Sequence, residues 1–204
     1  MNFEEEINNL ENMKIEDDFL ILKGNIPILF SAPHTMYQVR DNGTIKLNEP
    51  YTKAIALYLN KYSNVYSIVK NNDTGIDSNR DNYDDYNVEM RRLIKEKNIK
   101  IVIDLHGASK DREFDVEFGT LNNLSADFST IKELEEAFTE NGILNVSHNS
   151  PFKGGAITQG VYALDDVDVI QIEINGKYRD HDNIDNLNKL IHSLQNFIDL
   201  YSQK

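Results

Sequence analysis

The chain has 204 residues, 40% of them hydrophobic, and its 34 acidic side chains against 21 basic ones give a net charge of −13. That balance excludes partners that need a basic face, namely nucleic acid and anionic membrane surfaces. The length suits a single domain over residues 1–204, and the absence of cysteine excludes disulfides and thiolate metal sites.

The N-terminal stretch Met1–Asn9 is acidic and lacks the basic and apolar regions of a signal peptide. No apolar run approaches the roughly 20 residues that span a bilayer, so a cytoplasmic protein is expected. Phe19–Leu22 and Ile26–Phe30 are short apolar runs separated by Lys23-Gly24-Asn25, which predicts a hairpin. Arg40–Thr44 is a polar loop around Asn42-Gly43. Tyr51–Lys61 carries apolar residues at helical spacing, with Asn48-Glu49-Pro50 marking its start. A strand over Asn64–Val69 and a helix over Tyr83–Asn98 follow. Ile99–Leu105 is a β-branched run of the kind that forms a buried parallel strand. Phe114–Leu121 alternates and predicts a strand, and Phe128–Asn141 is an amphipathic helix stopped at Gly142. Ile143–Val146, Ala156–Tyr162 and Val167–Ile174 read as further strands, and Ile184–Tyr201 as a closing helix with one apolar face. Strands interleaved with helices predict an α/β protein: a three-layer αβα sandwich on a mostly parallel mixed sheet.

In open α/β sheets, chemistry gathers just beyond the carboxyl ends of the strands. Two strands end there in histidine: Ser31-Ala32-Pro33-His34 and Asp104-Leu105-His106-Gly107. A third apolar run carries Gln171, Glu173 and Asn175 on one face, a polar row that a wholly buried strand would not tolerate. Two histidines and an acid match a catalytic metal site, in which three protein ligands leave one position for water. Asp104 shares a sheet face with His106 and is placed to orient it. His148, His181 and His192 read as edge-strand, loop and surface-helix residues with structural or solvated roles.

Five short motifs extend the pattern: Ser31-Ala32-Pro33-His34, Asp77-Ser78-Asn79-Arg80, Asp104-Leu105-His106-Gly107, Phe152-Lys153-Gly154-Gly155 and Gln171-Ile172-Glu173-Ile174-Asn175. In this order they resemble the N-formylglutamate amidohydrolase family, relatives of the zinc carboxypeptidases and aspartoacylases. The resemblance spans Ile26–Arg179. It implies a phosphorylase/hydrolase-like fold and a zinc-dependent hydrolase of an amide or N-acyl bond, holding one ion, with other divalent metals compatible with the same donors.

Carried over by position, the resemblance makes His34 and His106 metal ligands and Glu173 the general acid/base. Arg80 would grip a substrate carboxylate, which a planar guanidinium pairs bidentately, with Asn79 adding a hydrogen bond. Lys153 and Arg179 are further candidates for anion recognition. The related carboxypeptidases place a glutamate ligand three residues after the first histidine, where this chain has Tyr37. Glu49, at the start of the following helix, is the substitute; the alternative is that it complements the helix dipole. The loop Thr35-Met36-Tyr37-Gln38 departs from the small residues of the family, so the expected substrate is a small carboxylate-bearing amide, N-formylglutamate-like, without a fixed acyl group. Two other readings of the same scaffold are a carboxypeptidase or cell-wall peptide amidase and a non-catalytic anion-binding homologue. The sequence leaves oligomeric state open.

Overall fold

A computed structural model describes residues 2–40 and 42–204; Met1 and Asp41, the latter inside the expected Arg40–Thr44 loop, lie outside the described residues. The strands are β1 (Phe19–Leu22), β2 (Ile26–Ala32), β3 (Gln38–Val39), β4 (Ile45–Lys46), β5 (Val65–Lys70), β6 (Ile101–Ala108), β7 (Val116–Gly119), β8 (Val146–His148) and β9 (Asp168–Asn175). The helices are α1 (Phe3–Glu11), α2 (Thr52–Ser63), α3 (Asp85–Lys97), α4 (Phe128–Glu140), α5 (Ala156–Tyr162) and α6 (Ile184–Ser202). Seven strands form one sheet in the order β1-β5-β2-β6-β9-β7-β8, and β3 pairs with β4 in a separate small ribbon. The β5-β2-β6-β9 centre is parallel, whereas β1 and β7 join it antiparallel and β8 follows β7 in parallel.

The sheet is the middle layer of the expected αβα sandwich. Alternate side chains of a strand point to opposite faces. Ile101, Ile103 and Leu105 of β6 join the core under α1, α2, α4 and α6. Val102, between them, joins the core under α3 and α5 with Leu29, Ile68 and Val169. Asp104 and His106 continue the Val102 row; Gln171 and Glu173 continue the Val169 row. The polar residues thus extend the α3/α5 face toward the carboxyl edge of the sheet.

Several elements differ from their sequence expectation, among them the strand expected over Ile143–Val146, which begins only at Val146 as β8. Phe19–Leu22 and Ile26–Ala32 do not form a hairpin, because β5 lies between them, antiparallel to β1 and parallel to β2. The turn residues instead meet the start of β5: Asn25 and Ile26 both donate their backbone N–H to Asn64 O. Ala156–Tyr162 is a helix, not a strand. It buries Ile157 and Val161, one helical turn apart, against the α3/α5 core. The α2 start also differs. Tyr51, with φ 69°, occupies the cap position without a side-chain capping bond, while Thr52 Oγ1 donates to Glu49 O. The Glu49 backbone carbonyl serves the helix start, while its side chain turns to His34 and His106 and makes no capping bond.

Candidate active site

His34 follows β2 in the turn that leads to the β3–β4 ribbon, His106 ends the buried part of β6, and Glu49 sits in the link between β4 and α2. Three separate segments thus bring three side chains together, all at least 95% buried. Their donor atoms converge. His34 Nδ1 lies 3.1 Å from Glu49 Oε1 and 3.1 Å from His106 Nδ1, and His106 Nδ1 lies 3.4 Å from Glu49 Oε2. A tetrahedral ion at bond lengths of about 2.0–2.1 Å requires ligand atoms roughly 3.3 Å apart. Glu49 Oε2 is buried without a hydrogen-bond partner.

The outer nitrogens explain why the inner ones are available. His34 Nε2 donates to Asp77 Oδ1 and His106 Nε2 donates to Asp104 Oδ2, each over 2.8 Å. A carboxylate on one ring nitrogen fixes the tautomer that leaves the other bare, as in metal-binding histidines. Both carboxylates are themselves held: Asp104 accepts from Ser31 Oγ at 2.8 Å, and Asp77 from Arg40 Nη2 at 2.6 Å. The donor set of two imidazoles and one carboxylate suits a divalent metal.

The electrostatics agree. Burial works against charge on Glu49, yet the His34 and His106 imidazoles outweigh it and hold the carboxyl well below its ordinary range. Burial likewise opposes a charged His106, but the Asp104 and Glu49 carboxylates hold its imidazole well above its ordinary range. Protein groups alone thus demand positive charge at this point. Lys46 Nζ, on the ribbon, also contacts Glu49 Oε1.

Glu173 stands directly across from His106 in the β6–β9 register. Gln171 Nε2 donates to its Oε1 at 2.9 Å, and burial pushes its carboxyl above the usual carboxylate range. Glu173, Arg80, Arg112 and Lys153 line a cavity of about 590 Å³ that opens over His34, Glu49 and His106. A larger recess of about 880 Å³, at the amino ends of β6 and β9, contains none of the motif residues.

The remaining sequence candidates divide. Arg80 and Lys153 reach the cavity and are exposed. Asn79 lines it too, but its side chain is committed: Nδ2 donates to Gln171 Oε1 over 3.3 Å, and Oδ1 accepts from Ile157 N over 3.4 Å. Gly155 permits this approach, since a Cβ there would fall 2.1 Å from Asn79 Oδ1. Arg179 has a place other than the expected one. It is buried behind Gly107, outside the cavity lining, and its guanidinium donates to the carbonyls of Ile174, Pro50 and Ala108 at 3.0, 2.8 and 3.0 Å. It ties the ends of β6 and β9 to the segment carrying Glu49. Tyr37, at the carboxypeptidase ligand position, is exposed and joins no ligand cluster.

Three basic cavity residues are not among the sequence candidates: Arg40, Lys46 and Arg112. They belong to no motif; only the ribbon and the loop after β6 bring them in.

Comparison with known proteins gives the family and the fold. The model of the N-formylglutamate amidohydrolase family matches residues 77–178, half of the chain. No curated protein sequence matches. The fold is similar to that of N-formylglutamate amidohydrolase from Ralstonia eutropha JMP134, with TM-score 0.65 at 13% identity over 91% of this chain and 97% of that one. It is also similar to a bacteriophage poly-gamma-glutamate hydrolase, with TM-score 0.58 at 13% identity over 97% of each chain. A metallo-carboxypeptidase from Burkholderia cenocepacia gives TM-score 0.55 at 13% identity over 90% of this chain and 61% of that one.

Proposed function

The chain belongs to the N-formylglutamate amidohydrolase family, and from that premise we propose that it is a metal-dependent hydrolase of an amide or N-acyl bond in a small carboxylate-bearing molecule. The observation that carries this reading is the convergence of the inward-facing Nδ1 atoms of His34 and His106 and an unpartnered Glu49 oxygen on one buried point.

His34, Glu49 and His106 are the residues that would hold the ion, for which zinc is the first choice. Bound there, it supplies a Lewis acid and water of lowered pKa. The protein's own groups do the rest. Asp77 and Asp104 keep both imidazoles in the tautomer that leaves Nδ1 free. Glu173, hydrogen-bonded on one oxygen by Gln171, takes the proton from the attacking water and returns it to the leaving nitrogen. The water oxygen ends on the carbonyl carbon as the C–N bond breaks, giving a carboxylic acid and an amine. Arg80 holds the substrate carboxylate and fixes which amide is presented. Asn79, through Gln171 and the start of α5, positions the loop that carries Arg80.

The test is elemental analysis of purified wild type and His106→Ala, alongside hydrolysis of N-acyl glutamates. Near-stoichiometric zinc, lost in the variant together with activity, supports the reading. Wild type that takes up no divalent metal yet binds N-acyl glutamates would make it an anion-binding homologue.

A further inference from the structure

The cavity holds more positive charge than a single carboxylate needs. Of the basic side chains that line it, Arg40 is paired with Asp77 and Lys46 with Glu49. Arg80, Arg112 and Lys153 also line it; among the described residues Arg80 and Lys153 form no ion pair, while Arg112 lies in the field of the buried Glu117. They come from three different loops: Arg80 before α3, Arg112 after β6 and Lys153 before α5. In a chain of net charge −13, three exposed cations around one cavity, beside its acids Glu49, Asp77 and Glu173, run against the background and mark where anions bind.

The three are also spread along the cavity. Arg80 reaches a recess of about 270 Å³ that it shares with Arg40, Gly75 and Asp81. Arg112 reaches a different recess of about 380 Å³, shared with Asp111, Glu113, Asn145 and Pro151. The two recesses have no residue in common, and each shares residues with the central cavity, Arg40, Asp77 and Arg80 on the one hand and Arg112 and Pro151 on the other. Arg112 is held in place, its guanidinium 5.1 Å from the centre of the Phe152 ring, which brings it beside the loop of Lys153. The central space of about 590 Å³ lies within the range of about 300–1,000 Å³ that accepts drug-sized ligands, more than an amino acid with a one-carbon acyl group fills.

We propose that the substrate carries an acid group on each side of the amide that is cleaved, one held by Arg80 and the other by Arg112 with Lys153. The acyl part is then itself a carboxylic acid of several carbons, and hydrolysis with one water yields a dicarboxylate and an acidic amine. This rests on the amidohydrolase reading above and deepens it.

A matched pair of substrates tests it: N-succinyl-L-glutamate, with a charged four-carbon acyl group, against N-butanoyl-L-glutamate, which lacks only that charge. The expected kcat/KM favours the succinyl compound at least tenfold, and Arg112→Ala reduces it at least tenfold more on the succinyl than on the butanoyl compound. Equal kcat/KM for the pair, or equal losses in the variant, would overturn the proposal. If neither amide is cleaved, calorimetric binding of the same two compounds decides the charge question, separately from the amidohydrolase reading. Tighter binding of the succinyl compound, dependent on Arg112, upholds two-sided anion recognition; indistinguishable affinities reject it.

Discussion

His34 and His106 present their Nδ1 atoms to one another across 3.1 Å, while each Nε2 donates to its own aspartate. The outer aspartates favour the tautomer that leaves each Nδ1 facing inward, and Glu49 adds a carboxylate oxygen 3.4 Å from His106 Nδ1. Such an arrangement needs positive charge among the three, either a proton or a metal ion. In His106→Ala the stoichiometric metal is expected to be lost. Asp104→Asn keeps the ring in place but weakens its orienting bond, and should lower metal affinity about 10–100-fold. Competition titration with a chelating dye measures both; unchanged affinity in Asp104→Asn would show that Asp104 does not act through the ligand.

Glu173 faces the same cavity from β9, yet belongs to no cluster of ligand atoms with His34, Glu49 and His106. A group that handles protons without holding the ion should be separable from metal content. Glu173→Gln is therefore expected to retain full metal and to lose about 10²–10⁴-fold in kcat, the usual contribution of general acid/base catalysis, with little change in KM. A variant that loses metal in parallel with activity would move Glu173 into the ligand set.

Across β7 and β9, Glu117 pairs directly with Glu173. Glu117 is fully buried; its Oε1 accepts from Phe152 N at 2.6 Å and its Oε2 has no partner. Burial pushes this carboxyl above the ordinary glutamate value of 4.5. A carboxyl that is harder to ionise when folded binds protons more readily in the native state, so its ionisation costs stability as pH rises through the window above 4.5. Glu117→Gln keeps an acceptor for Phe152 N and removes the titration. Its Tm relative to wild type should rise between pH 4 and pH 8. A difference that stays constant over that range would assign Glu117 no such cost.

Much of the site was legible because strand-end histidines and a polar row on an apolar strand are local patterns. Asp104 and His106 share a face through the two-residue period of β6, and that period needs no tertiary information. Glu49 needed the resemblance to a family, since only folding brings the segment before α2 against two strand ends. Arg179 was misplaced for a related reason. A buried arginine that serves three backbone carbonyls is indistinguishable in sequence from one that awaits a substrate carboxylate. Arg40 and Lys46 were invisible because the β3–β4 ribbon is only two residues long on each side. The failed hairpin and the misread α5 share one cause: short apolar runs fit strand and helix alike, and their partners are chosen by distant segments.

Lys70 ends β5 with its side chain almost wholly buried, and its ammonium donates to Ile76 O at 2.7 Å and Ser78 Oγ at 2.8 Å, with Asp84 Oδ2 3.5 Å away. Asn87 of α3 adds bonds to Ser78 O and Asp84 Oδ1 at 2.7 and 2.8 Å. These contacts anchor the loop from which Asp77 reaches His34 and Arg80 reaches the cavity. The backbone carbonyl of Lys70 accepts from Thr35 Oγ1, beside His34, so one residue braces both sides of the site. Lys70→Met removes the buried cation and leaves Asp84 and two oxygens short of a partner. Breaking a buried pair in this way costs about 3–5 kcal/mol, equivalent to about 6–20 °C in Tm for a chain of this size. Below that lowered Tm, KM for a carboxylate-bearing substrate should rise more than kcat falls, because the Arg80 loop loosens while Glu173 stays fixed on β9. Thermal unfolding followed by steady-state kinetics checks both parts. A Tm within 2 °C of wild type would show that the loop holds itself without Lys70.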